Sequence, residues 1–120
     1  MRVLLDTHCW LWMQANPERF CHTTYELLQS TENELLLSAA SAWEIAIKVA
    51  IGKLSLPAPP EEYVPSRMAK SGTSALPIFH RHALHVAQHR LIIAQAQLEE
   101  IPVLTADRLF PQYDVELIAP

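Results

Sequence analysis

The chain has 120 residues, half of them hydrophobic and 18% charged, below the usual charged share of about 25%. This composition excludes a disordered or low-complexity protein and allows one core of ordinary size. A net charge of −4 excludes a broadly basic nucleic-acid footprint, though not a local basic patch, and two glycines leave little for phosphate-cradling loops.

Arg2–Leu5 carries the apolar run Val3-Leu4-Leu5, closed by Asp6, as expected of a buried parallel strand. Residues 7–14 suit a helix. Asn16-Pro17 ends it, and Pro17 opens a second helix over 18–30. Glu34–Ser38 reads as a second strand. Ser41-Ala42-Trp43-Glu44 has capping-box spacing and opens an Ala/Ile-rich helix that stops at Gly52. A proline-rich loop over 56–60 leads into a short helix ending near Gly72, bent or divided by Pro65. A short strand is expected over 75–78, helices over 80–89 and 90–100, an apolar strand-like run over 102–105 and a last strand over 115–118. Strands alternating with helices predict right-handed crossovers and a parallel sheet covered on both faces. The expected fold class is α/β: a three-layer α/β/α domain with a small central parallel sheet, one domain over residues 1–120.

Cys9 and Cys21 are too few for a disulfide scaffold and match no zinc spacing, so both read as reduced thiols. Val3-Leu4-Leu5 meets an acid at once, unlike a signal peptide, and no apolar run approaches the roughly 20 residues of a membrane span. A cytoplasmic protein with no membrane partner is expected.

Only three of the thirteen acids are aspartates: Asp6, Asp107 and Asp114. Ligands of an open parallel sheet bind beyond the carboxyl ends of its strands, where strand order reverses. Asp6 and Asp107 each follow a strand-like run, and Glu44 lies one turn into the helix after the second strand. Three carboxylates from distant segments would then converge on one crevice. Unpaired, they would repel one another; a hard divalent cation such as Mg²⁺ resolves the conflict. Such a centre suits hydrolysis of a phosphodiester. Each acid also has a structural alternative: Glu44 closing the capping box with Ser41, Asp6 and Asp107 capping helices. Thr105 either orients Asp107 through its hydroxyl or is simply a β-branched strand residue.

The motifs Leu4-Leu5-Asp6-Thr7-His8, Ser38-Ala-Ala-Ser-Ala-Trp-Glu44-Ile-Ala-Ile-Lys48, Gly52-Lys53-Leu54, Leu91-Ile-Ile-Ala-Gln-Ala96 and Val103-Leu-Thr-Ala-Asp107 together resemble the PIN domain. More narrowly they are similar to its VapC branch, the toxins of type II toxin–antitoxin modules. The resemblance implies a Mg²⁺- or Mn²⁺-dependent endoribonuclease, a homodimer, held inactive by a VapB-type antitoxin. It places the catalytic and metal-binding acids at Asp6, Glu44 and Asp107. Cleavage of RNA would leave a 5′-phosphate and a 3′-hydroxyl.

One departure stands out. Members of this branch carry an Asp-Pro-Phe-Asp-Arg segment just before the Leu-Ile-Ile-Ala-Gln-Ala helix. Here His89-Arg90 leads directly into Leu91, so Arg90 aligns with that arginine and His89 falls where a further acid belongs. The alternative reading is therefore a catalytically weak or silent PIN fold that binds antitoxin or RNA. His80, His82, His85 and His89 are concentrated in ten residues, but no His-Glu-x-x-His motif occurs and a dedicated zinc site is not expected. Lys48, Lys53, Arg90 and Arg108 are candidates for contact with RNA phosphates or with solvent alone.

Overall fold

The structure, a computed structural model, describes residues 1–85, 91–106 and 115–120. Chain order is β1 (Arg2–Leu5), α1 (Thr7–Ala15), a 3₁₀ turn (Pro17–Arg19), α2 (His22–Gln29), β2 (Glu34–Ser38), α3 (Ala39–Ala50), α4 (Pro60–Ser71), β3 (Thr73–Leu76), α5 (His80–His85), α6 (Leu91–Glu99), β4 (Val103–Leu104) and β5 (Leu117–Ile118). The five strands are parallel in the order β3-β2-β1-β4-β5. Strand order therefore reverses between β1 and β4.

Alternation along the strands divides the core into two layers. Val3 and Leu5 of β1 join Leu35 and Leu37 of β2 under Trp10 of α1, Ile45 of α3 and Val64 of α4. Leu4 and Leu36 point the other way, onto Leu76, Ile93, Ala96, Ile101 and Val103. Successive strand residues face opposite sides, so a run buried at every position requires cover on both faces. Val3, Leu4 and Leu5 are each fully buried. The expected α/β/α layering is the observed one.

Four local readings change. The helix expected over 18–30 is broken at Phe20, whose extended backbone turns the ring inward onto Trp12, 6.2 Å away between centroids. Burying that ring breaks the helix between the 3₁₀ turn and α2. α3 begins at Ala39, not Ser41, and its cap is Ser38, whose Oγ accepts from the Ala40 N–H at 3.0 Å. α4 runs through Pro65 undivided, because Val64 is buried and Tyr63 and Met68 pack on the same core. It ends at Gly72, whose φ of 67° suits a residue without Cβ. β3 lies two residues earlier than expected, paired with β2 in the register Leu36↔Ser74 and Leu37↔Ala75. Among the described residues, no helix is long and apolar enough to cross a membrane.

Candidate active site

Asp6 is built into the reversal point. Its backbone N–H donates to the Leu104 carbonyl at 3.0 Å, continuing the β1–β4 ladder one step past the Leu5↔Leu104 pair. Thr105 is held on its other side, its N–H donating to the Ile118 carbonyl at 3.2 Å. The ladder sets Asp6 beside Thr105, and the Thr105 hydroxyl donates to Asp6 Oδ2. Oδ1 accepts from the Cys9 N–H at 2.8 Å and so caps α1. Asp6 is thus a helix cap and a carboxylate at the sheet's carboxyl edge at once, only 7% exposed. Burial, and then the Asp6 carboxylate beside it, push the Cys9 thiol far above its ordinary value. That thiol stays protonated at neutral pH.

Glu44 is held differently. Its Oε1 lies 3.0 Å from Thr7 Oγ1, and its Oε2 lies 2.7 Å from Lys48 Nζ one turn along α3. Burial works against its ionisation. The Lys48 ammonium and the Thr7 hydroxyl outweigh that and hold the carboxyl below its ordinary value. Ser41 Oγ stands 2.9 Å from the same Thr7 Oγ1. The capping-box reading of Ser41 and Glu44 is therefore corrected: Ser38 caps the helix, and both side chains turn to Thr7, on α1.

Thr7 is the residue that pattern-reading missed. It follows Asp6 directly and links the two acids, since Asp6 starts α1 and Thr7 reaches Glu44. Its signal was an Asp-Thr pair closing an apolar strand, with a second acid two segments away. Thr105, expected to support Asp107, donates to Asp6. Asp107 itself lies outside the described residues, as do Arg108, Asp114, His89 and Arg90. The histidine cluster forms no site within the described residues. His82 is fully buried, and its Nδ1 accepts the Phe79 N–H at 2.9 Å, so its proton sits on Nε2, 2.9 Å from Glu99 Oε1. His85 Nε2 lies 3.0 Å from Gln97 Oε1. Both residues tie α5 to α6.

A model of the PIN domain matches residues 3–116. The chain belongs to the PIN domain family. Over 62 residues it is 52% identical to Ribonuclease VapC16 of Mycobacterium tuberculosis (strain ATCC 25618 / H37Rv). That stretch is 52% of this chain and 44% of the relative, so the match spans less than half of VapC16. Two solved structures have the same fold. The VapBC2 structure from Rickettsia felis, bound to a DNA fragment from its promoter, has a TM-score of 0.71 at 15% identity, covering 100% of this chain and 99% of that one. FitAcB from Neisseria gonorrhoeae has a TM-score of 0.64 at 23% identity, covering 97% and 96%. The VapC-like resemblance read from the motifs is thereby borne out.

In this PIN domain the described part of the site fits a hard divalent ion by its donor chemistry. Asp6 and Glu44 offer carboxylate oxygens at one sheet edge, each oxygen holding one partner among the described residues and retaining lone pairs for another. Among the described residues, no group of three His, Cys, Asp or Glu side chains forms a metal cage by itself. Two acids of the expected set can be followed in this way. Asp107 is the third.

Proposed function

We propose that this PIN domain is a VapC-like toxin endoribonuclease that hydrolyses RNA phosphodiester bonds with Mg²⁺ or Mn²⁺. The observation that carries the reading is Asp6 at the β1/β4 reversal, fixed by backbone on one oxygen and by Thr105 on the other. Strand-order reversals are where open α/β sheets bind their ligands. The kinship with Ribonuclease VapC16 supports the reaction class. Asp6, Glu44 and Asp107 would hold the ion. When bound, that ion supplies water activation and charge neutralisation at an in-line phosphoryl displacement.

The chain's own part is to bind and orient. Cys9 N–H and Thr105 fix Asp6; Thr7 and Lys48 fix Glu44. Lys48, about one-third exposed, also places a positive charge beside the acids, suited to the RNA backbone. The reading includes a single PIN unit over residues 1–120, a cytoplasmic location, a homodimer and a VapB-type antitoxin that inhibits it. An apolar groove of about 730 Å³ between α3 and α4, lined by Ala46, Val49, Pro60 and Val64 among others, leaves room for an apolar partner segment.

The test is cleavage of single-stranded RNA by the purified chain with Mn²⁺ or Mg²⁺, beside Asp6→Asn. Metal-dependent cleavage that falls at least about 100-fold in the mutant is expected, the scale of losing a group that organises transition-state charge. Equal background in both proteins would overturn the enzyme and leave a silent fold that binds antitoxin or RNA.

A further inference from the structure

Thr7 and Ser41 are both buried, at 3% and 0% exposure, so no solvent competes for their hydroxyl hydrogens. Thr7 Oγ1 has two neighbours, Ser41 Oγ at 2.9 Å and Glu44 Oε1 at 3.0 Å, but only one hydrogen to give. The Glu44 carboxylate is paired with the Lys48 ammonium at 2.7 Å and can only accept. The Thr7 hydroxyl is the donor in both contacts, and the charged Glu44 carboxylate is the stronger acceptor of its one hydrogen, with Ser41 Oγ the weaker. One hydroxyl of α1 is thus held between two side chains of α3.

The place of Thr7 in the chain gives this arrangement a consequence. Thr7 is the residue after Asp6, on the helix that the Asp6 carboxylate itself caps. The backbone that fixes Asp6 thus also fixes the hydroxyl that holds Glu44. Ser41, on the buried side of α3 with Ile45, offers that hydroxyl a second acceptor on the same helix. We infer that Thr7 is a positioning residue that fixes Glu44 at a set separation from Asp6, so that both carboxylates reach one divalent cation. The inference rests on the metal-dependent reading above. It assigns Thr7 no contact with substrate.

Mn²⁺ titration of the purified chain by electron paramagnetic resonance provides a readout apart from cleavage. Thr7→Val keeps the side-chain shape but removes the hydroxyl. It should weaken Mn²⁺ binding roughly tenfold or more, the usual cost of losing a group that orients a metal ligand. Thr7→Ser restores the hydroxyl and should bind nearly as wild type. In a Glu44→Gln background, Thr7→Val should add nothing, because its effect passes through that carboxylate. A hydroxyl that only ties α1 to α3 would behave otherwise. In that case Thr7→Val would leave Mn²⁺ affinity unchanged, or would lower it equally with and without Glu44, and either result overturns the inference. Should Thr7→Val fail to fold, Thr7→Ala carries the test: a similar loss of affinity is expected, and none overturns it. A wild-type chain that binds no Mn²⁺ overturns the metal reading and this inference with it. Wild-type binding that is indifferent to Thr7 overturns the inference alone.

Discussion

The two described acids of the site are carboxylates at the same sheet edge, yet the chain holds them in opposite ways. Asp6 is 7% exposed and gripped by groups the backbone fixes: the Cys9 N–H of its own helix and a Thr105 hydroxyl set by the β1–β4 ladder. The Glu44 side chain is 38% exposed and, among the described residues, bonds to other side chains, Thr7 and Lys48. The difference separates two kinds of dependence. Asp6 belongs to the fold as well as to the proposed metal site, whereas the charge of Glu44 can be removed with little consequence for folding. Coupling between stability and activity should therefore be strong at one acid and weak at the other.

The widest gap should appear at Asp6. Asp6→Ala removes the cap of α1 and the Thr105–Asp6 hydrogen bond, so urea unfolding should show a loss of about 1–2 kcal/mol. Asn caps a helix as well as Asp does, so Asp6→Asn should retain stability to within about 0.5 kcal/mol. Both variants should lose metal-dependent cleavage. If Ala and Asn unfold at the same urea concentration, the cap contributes nothing and the fold holds the two acids alike.

A smaller effect is expected at Glu44. Glu44→Gln retains an acceptor for Thr7 and gives up a partly exposed ion pair, a class of interaction worth about 0.2–1 kcal/mol. Its urea midpoint should lie near that of wild type while Mn²⁺ affinity falls by about tenfold or more. A variant that loses stability and metal affinity in proportion would place Glu44 with Asp6, as part of the fold.

How far these arrangements can be read from sequence follows from the same physics. The strands and the sheet edge were legible because Val3-Leu4-Leu5 and Glu34–Ser38 are short apolar runs with few other solutions. Asp6 was legible because it closes one of them. Its partner was not, since a Thr105–Asp6 bond depends on which strand lies beside β1, and strand order is a long-range property. The capping box failed for a related reason. Ser38 and Ser41 both suit the start of α3, and the choice between them turned on Thr7, 34 positions before Ser41, needing the second hydroxyl. The break at Phe20 followed from burial of one ring against Trp12, which local helix preference does not register.

The smallest effect sharpens the contrast through pH. Glu44 is held below its ordinary carboxyl value, with burial opposed and outweighed by Lys48 and Thr7. A depressed folded value means that the unfolded chain takes up a proton first as pH falls. The stabilisation from Glu44 is therefore fully present above the unfolded value of about 4.5, and is lost as pH drops through the lower folded one. Exposure and screening limit it to about a few tenths of a kcal/mol. The check is the urea midpoint of wild type minus that of Glu44→Gln, both in chelator, from pH 7 to pH 3. The difference should be flat down to about pH 5, shrink below it, and be smaller throughout at high salt. A difference that survives at pH 3 would mean that Glu44 is held by shape and neutral hydrogen bonds. The ion pair with Lys48 would then be incidental to its orientation, and Thr7 alone would carry what the two were argued to share.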